Sequence, residues 1–158
     1  MTLTVLRAAD RIAVPWKNGG GVTREILRWP HGSDRDDYDL RVSLADVTKP
    51  GPFSKFPGYS RYLVWIGPNP IDLMIGRRID SYATPNASAH ILGDPDIVAM
   101  LPAGPTRLLN LIVKDGAPYD WGYNAPDKPV RFAFVPSRLE ANLWDPAERI
   151  AERCLWIE

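Results

Sequence analysis

Tyr38 to Val47 reads Y-D-L-R-V-S-L-A-D-V. Leu40, Val42 and Leu44 alternate with Arg41, Ser43 and Ala45, the period of two expected of a strand whose two faces differ. Similar β-rich or apolar runs follow at Arg61 to Ile66, Ile71 to Ile75, Ile97 to Leu101, Arg107 to Lys114, Val130 to Val135 and Arg153 to Ile157, each bounded by Gly, Pro, Asp or Asn. The 16 prolines and 12 glycines are scattered, and they cut the chain into pieces too short for typical helices. The reading is all-β, a sandwich or barrel. Asp145-Pro146 offers an N-cap followed by proline at a first helical position, so a turn or short helical piece is expected there before the last strand. Asp34 to Asp37 reads as an exposed charged loop tip.

Upstream of the strand lies W-K-N-G-G-G-V-T-R-E, residues Trp16 to Glu25. Three adjacent glycines suit a sharp turn or a close approach, and the donors and acceptors around them exceed what a plain linker requires. A nucleotide loop is excluded, because Val22, Thr23, Ile26 and Trp29 favour a strand where a phosphate-binding loop needs a helix.

The length of 158 residues fits one ordinary domain, large enough to bury a core without a metal or disulfide. Lysine plus arginine and aspartate plus glutamate balance at 19 each, which removes the general electrostatic case for nucleic acid or an anionic membrane. No apolar run reaches the length of a membrane span, and the first ten residues lack a signal-peptide core. A cytoplasmic protein is expected, and the single Cys154 is consistent with a reducing compartment.

A second constellation is Arg41-x-Ser43-x-Ala45-Asp46-Val47, followed by Gly51-Pro52-Phe53-Ser54-x-Phe56-Pro57-Gly58-x-x-Arg61. Together with the glycine decapeptide, and with Gly104-Pro105-x-Arg107-x-x-Asn110-Leu111 downstream, it resembles the HutD/Ves family of bacterial proteins over roughly residues 3 to 116. The resemblance implies a double cupin-like β-barrel or sandwich (bicupin) in one compact unit, a single domain over 1–158 that could hold two diverged barrel halves. It also implies a cytoplasmic accessory protein of histidine utilisation that binds a small acid such as urocanate or formylglutamate. Two positions depart from the family pattern: Leu108 stands where an acidic residue is usual, and Ser60 where Asp is common. The segment from Gly67 to His90 is also shorter than usual.

The candidate ligand-binding residues are Trp16, Lys17, Asn18, Gly19, Gly20, Thr23, Arg24, Arg41, Ser43, Ser54, Arg61 and Asn110. If Leu40, Val42 and Leu44 face a packed layer, Arg41 and Ser43 point to the other side, where a guanidinium could grip a carboxylate. The plainer alternative is that Arg24 and Arg41 pair with Glu25 or Asp46 across strands. Asn110 shares an apolar face with Leu108 and Ile112, so its amide needs partners, from ligand or backbone. Only His31 and His90 are available, which rules out a three-histidine metal site within one chain, so no metal or cofactor is expected. A cupin-type isomerase or hydrolase is the competing reading, with Lys17, Glu25 and Asp94 as acid and base candidates. A homodimer is compatible with either.

Overall fold

The computed structural model describes residues 2–158; Met1, where the expected domain begins, lies outside the described residues. Fifteen strands and one short 3-10 turn at Ala8–Asp10 account for the regular structure of the described residues. In chain order the strands are β1 (Thr2–Arg7), β2 (Ala13–Pro15), β3 (Gly21–Trp29), β4 (Leu40–Val47), β5 (Gly51–Pro52), β6 (Tyr59–Pro68), β7 (Ile71–Ile75) and β8 (Arg78–Tyr82). They continue as β9 (Ser88–Ile91), β10 (Ile97–Met100), β11 (Thr106–Lys114), β12 (Trp121–Asn124), β13 (Val130–Val135), β14 (Glu140–Glu148) and β15 (Cys154–Ile157). The protein is all-β, as its strand periods require, and no helix of the described residues is long and apolar enough to cross a membrane.

The chain divides into two compact units, residues 12–117 and a second formed by residues up to 11 with 118–158. In the larger unit a six-stranded sheet runs β2-β3-β4-β11-β6-β9 and a four-stranded sheet runs β5-β10-β7-β8. Val47, Leu63 and Leu108 of the first sheet meet Ile71, Leu73, Ile97 and Ala99 of the second in one buried cluster, with Trp16, Phe53 and Trp65 packed against it. Burying these β-branched and aliphatic side chains is the main force holding the two sheets together. The smaller unit is a five-stranded sheet, β1-β14-β13-β15-β12. One of its faces gathers Val130, Ala133, Val135, Cys154 and Trp156. Gly122 lies under the Trp156 ring, where a Cβ would come within 2.7 Å of it.

The short helical piece or turn expected at Asp145-Pro146 is not formed. Strand β14 continues through it, because Asp145 pairs with Thr2 of β1 on one side and β13 lies on the other. The Asp145 carboxylate accepts from Arg131 Nη1 at 3.1 Å instead of capping a helix. Pairing on both sides overrides the local capping signal.

Candidate functional site

The glycine decapeptide is a hairpin that joins β2 to β3. Trp16 N–H donates to Gly21 O at 2.9 Å and Gly19 N–H to Trp16 O at 3.0 Å, with Gly19 at φ +72. Gly21 is required by proximity: a Cβ there would stand 2.3 Å from the backbone oxygen of Asp46. Asn18 pins the turn, its Oδ1 accepting from Gly20 N–H at 2.8 Å and its Nδ2 donating to Pro52 O at 3.2 Å. Lys17, Asn18, Gly19 and Gly20 therefore build the bend that carries Trp16, and none of them lines the cavity below it.

That cavity has a volume of about 60 Å³, roughly four water-sized spheres. Its floor is one face of the sheet. Antiparallel pairing sets the residues in rows across β4, β11 and β6: Arg41, Ile112 and Arg61; then Ser43, Asn110 and Leu63; then Ala45 and Leu108, flanked by Thr23. Successive rows are about 7 Å apart, two residues of strand rise. The floor thus grades from cationic through polar to apolar. Phe53, Ser54 and Phe56 close it from the loop after β5, and Trp16 closes the apolar end. Trp16 Nε1 donates to Thr23 Oγ1 at 2.7 Å, and its ring meets Phe53 edge-on at 5.7 Å.

The two arginines of the first row differ in their surroundings. Arg41 Nε donates to Glu25 Oε1 at 3.0 Å, and Arg28 reaches the same oxygen at 3.8 Å. Arg61 is 7% exposed. Its Nη2 donates to Ser54 O at 2.7 Å, and the guanidinium carbon lies 5.1 Å from the Phe56 ring centre and 5.8 Å from that of Phe53. Among the described residues no carboxylate comes within salt-bridge distance of it. Burial pulls its pKa down to about 10, opposed by the more distant charge of Asp94 and by Tyr38, so the group is a desolvated cation at neutral pH. Asp94 itself is engaged, its Oδ1 accepting from Phe56 N–H at 3.0 Å and tying down the aromatic loop. Asn110 Oδ1, in the middle row, is buried and has no hydrogen-bond partner among the described residues, and Ser43 is 1% exposed. Beside Arg41, burial pushes the Tyr38 hydroxyl up to about 12.

Arg24 lies on the opposite face of the sheet. Its Nη1 contacts Asp46 Oδ2 at 2.6 Å while Arg107 Nε contacts Asp46 Oδ1 at 2.6 Å, so one carboxylate staples β3, β4 and β11. The twelve candidates therefore separate. Trp16, Thr23, Arg41, Ser43, Ser54, Arg61 and Asn110 converge on the cavity, and Lys17, Asn18, Gly19, Gly20 and Arg24 do not. The cross-strand alternative describes Arg24 with Asp46 and also Arg41 with Glu25, although Arg41 keeps a place in the wall as well. Leu63 joins the lining without having been expected. Its signal is its place two residues from Arg61, on the same strand face.

The lining holds no histidine, cysteine, aspartate or glutamate, and among the described residues no three such side chains group as metal ligands. The metal common in cupin barrels therefore finds no fitting donor set here. Lys17, Glu25 and Asp94, the acid and base candidates, are likewise absent from the lining.

The sequence profile of the HutD family matches residues 8–120, a stretch that contains the whole larger unit and the cavity. The chain belongs to the HutD family. A Pseudomonas putida protein described as an uncharacterized 21.2 kDa protein in the hutC 3' region is 34% identical over 110 residues, covering 70% of this chain and 57% of that protein. Protein Ves of Escherichia fergusonii is 41% identical over 46 residues, covering 29% of this chain and 23% of its own length. These matches span less than two thirds of the curated relatives. Among solved structures, HutD from Pseudomonas fluorescens SBW25 superposes with a TM-score of 0.77 at 26% identity, covering 99% of this chain and 97% of that one. The cupin domain of Schizosaccharomyces pombe Cnp3 shares the fold at a TM-score of 0.52 and 5% identity, over 68% of this chain and 71% of that one. The bicupin architecture of the HutD family is thus the fold of this chain.

Proposed function

We propose that this HutD-family chain is a binding protein for a small carboxylate metabolite such as urocanate or formylglutamate. It serves histidine utilisation in the cytoplasm as an accessory or regulatory component, with no metal and no chemical step. The observation that carries the reading is Arg61, a buried cation facing a cavity with no carboxylate to neutralise it. Leaving such a charge unpaired is costly, and an arriving anion relieves the cost through charge-assisted hydrogen bonds.

The graded floor supports an orientation. The carboxylate docks on the Arg41–Arg61 row, hydrogen-bonding groups meet Ser43 and Asn110, and an apolar or flat remainder lies against Ala45, Leu108 and Trp16. Of the two acids, urocanate, with one carboxylate and a planar body, suits that gradient better than formylglutamate, a dicarboxylate whose second charge falls on the neutral rows. Formate, which gives its name to the condition of the P. fluorescens structure, is the minimal probe of the first row.

Isothermal titration with formate, urocanate, formylglutamate and uncharged amides of the same acids tests the proposal. Binding of at least one acid, lost in its amide, is the expected result. No heat and no thermal shift from any acid at millimolar concentration would overturn it.

A further inference from the structure

The three sheets of the described chain end in six edges, β1, β12, β5, β8, β2 and β9, and an open edge is a template for another strand unless something blunts it. Five are blunted or very short. Strand β2 has three residues and ends in Pro15, and β5 has two and ends in Pro52. Strand β8 carries the ion pair Arg78–Asp80, and β9 spans only four residues. Strand β12 also spans four, and its Tyr123 and Asn124 carbonyls already accept from Arg153 and from the Cys154 thiol.

Strand β1 is the exception. It runs six residues, T-L-T-V-L-R, with no proline and no charge before Arg7, and it pairs with β14 from Thr2 to Arg7 without a register shift. Every residue but Leu6 is exposed, including Leu3 at 50% and Val5 at 37%. Leu3 and Val5 share one sheet face with the half-buried Trp144 and Asn142, their partners on β14.

We propose that β1 is the pairing edge of a twofold dimer of this chain, in which β1 of two copies lie antiparallel and join their five-stranded sheets into one of ten strands. The argument for a second copy is self-complementarity. A twofold axis perpendicular to the sheet keeps each face continuous, so paired residues must come from the same face. Centring the axis on Thr4 pairs Thr4 with Thr4, Leu3 with the partner's Val5, and Thr2 with the partner's Leu6. This register uses the whole uncharged stretch, sets threonine against threonine and puts the two exposed aliphatic side chains in contact, combinations that favour cross-strand pairing. A strand edge alone buries less surface than a permanent dimer needs, so the association is weak and depends on concentration. The proposal is independent of the anion site.

Sedimentation velocity from micromolar to millimolar protein tests it, with Val5→Lys and Thr4→Cys as variants. The parent mass is expected to rise with concentration from 17.7 kDa towards twice that value. Val5→Lys, at an exposed position that the fold tolerates, is expected to move the midpoint to at least about tenfold higher concentration by setting charges into the joined face. Thr4→Cys is expected to cross-link as a dimer under mild oxidation, because an antiparallel pair on the axis brings its Cα atoms within disulfide reach; the native Cys154 is buried and does not compete. A mass fixed at one chain across the range, a dimer that Val5→Lys leaves unweakened, or a Thr4→Cys variant that stays uncrosslinked would each overturn the proposal.

Discussion

Arg41 and Arg61 occupy the same row of the sheet on either side of Ile112, yet only Arg41 has a carboxylate, that of Glu25, to hold it. The pairing orients Arg41 against a carboxylate it shares with Arg28, and it leaves Arg61 with a backbone carbonyl and two aromatic rings. Cation–π contacts and one neutral acceptor recover only part of the hydration a guanidinium loses on burial. The row is therefore locally positive at its Arg61 end, and an incoming carboxylate does not first have to break an ion pair there.

Arg61→Met keeps an apolar stem against Phe53 and Phe56 while removing the buried charge. Because an unpaired buried cation opposes folding, the unliganded variant is expected to match or exceed the parent in stability, within about 1 kcal/mol in urea titration. A ligand at a hundred times its Kd stabilises the parent by about 2.7 kcal/mol, and that gain is expected to vanish in the variant. A ligand-induced shift that persists in Arg61→Met removes Arg61 from the site.

Asn110→Asp places a carboxylate in the row next to Arg61. The new charge is expected to pair with the guanidinium and occupy the position of the ligand's own carboxylate, weakening acid binding by about tenfold or more while leaving the fold intact. Calorimetric titration of the variant against the parent reads the effect directly. Unchanged affinity would mean that the acid binds beyond reach of the second row.

The cavity floor was legible in the sequence because a strand of period two writes its faces directly: Arg41, Ser43 and Ala45 fall on one side as their spacing requires, with Asn110 and Leu108 opposite them. The role of Asn18 was not legible. Its bond to Pro52 spans 34 residues, and nothing local distinguishes a turn pinned by its own asparagine from a binding loop. Arg24 was ambiguous for the same reason, since a basic residue beside a glycine turn reads as site charge until Asp46 is seen to hold it together with Arg107. The want of a carboxylate beside Arg61 could not be read at all, because it belongs to the whole fold. At Asp145-Pro146 the local capping signal yields to the pairing of β14 with strands distant in sequence.

Asp46→Ala separates structure from binding. Two arginines lose their common partner on the face away from the cavity, and the variant is expected to be less stable by about 1–3 kcal/mol. Its affinity for the acid per folded molecule is expected to stay within about twofold, since sites on opposite faces with no shared partner couple weakly. Chemical denaturation together with titration below the melting range distinguishes the two effects.

Gly21→Ala tests the close approach that accounts for the last of the three glycines. The added Cβ would meet the Asp46 carbonyl oxygen at 2.3 Å, a backbone atom that cannot rotate aside. The hairpin has to move from β4, and a loss of about 1–3 kcal/mol is expected, the usual range for overpacking. Gly19→Ala, at φ +72 with open space around it, is expected to cost less, about 1 kcal/mol of backbone strain. Equal effects at the two positions would mean that the contact with Asp46 is not what fixes the glycine.

Cys154 gives a pH test of the smaller unit. The thiol is buried, and burial raises its pKa from the usual 9.0 to about 11. Below pH 9 the thiol is protonated in both the folded and the unfolded chain and contributes no pH dependence. Between pH 9 and 11 the unfolded chain releases the proton and the folded chain keeps it, so the folded state binds more protons and stability falls as pH rises. Cys154→Ala is expected to flatten that part of the stability curve, at the expense of a small cavity beside Ala133 and Trp156. An aromatic disulfide reagent at pH 8 is expected to leave the native thiol untouched and to react fully once the protein is unfolded. Rapid native labelling would place the sulfur within reach of solvent and contradict the packing of β15 against β13.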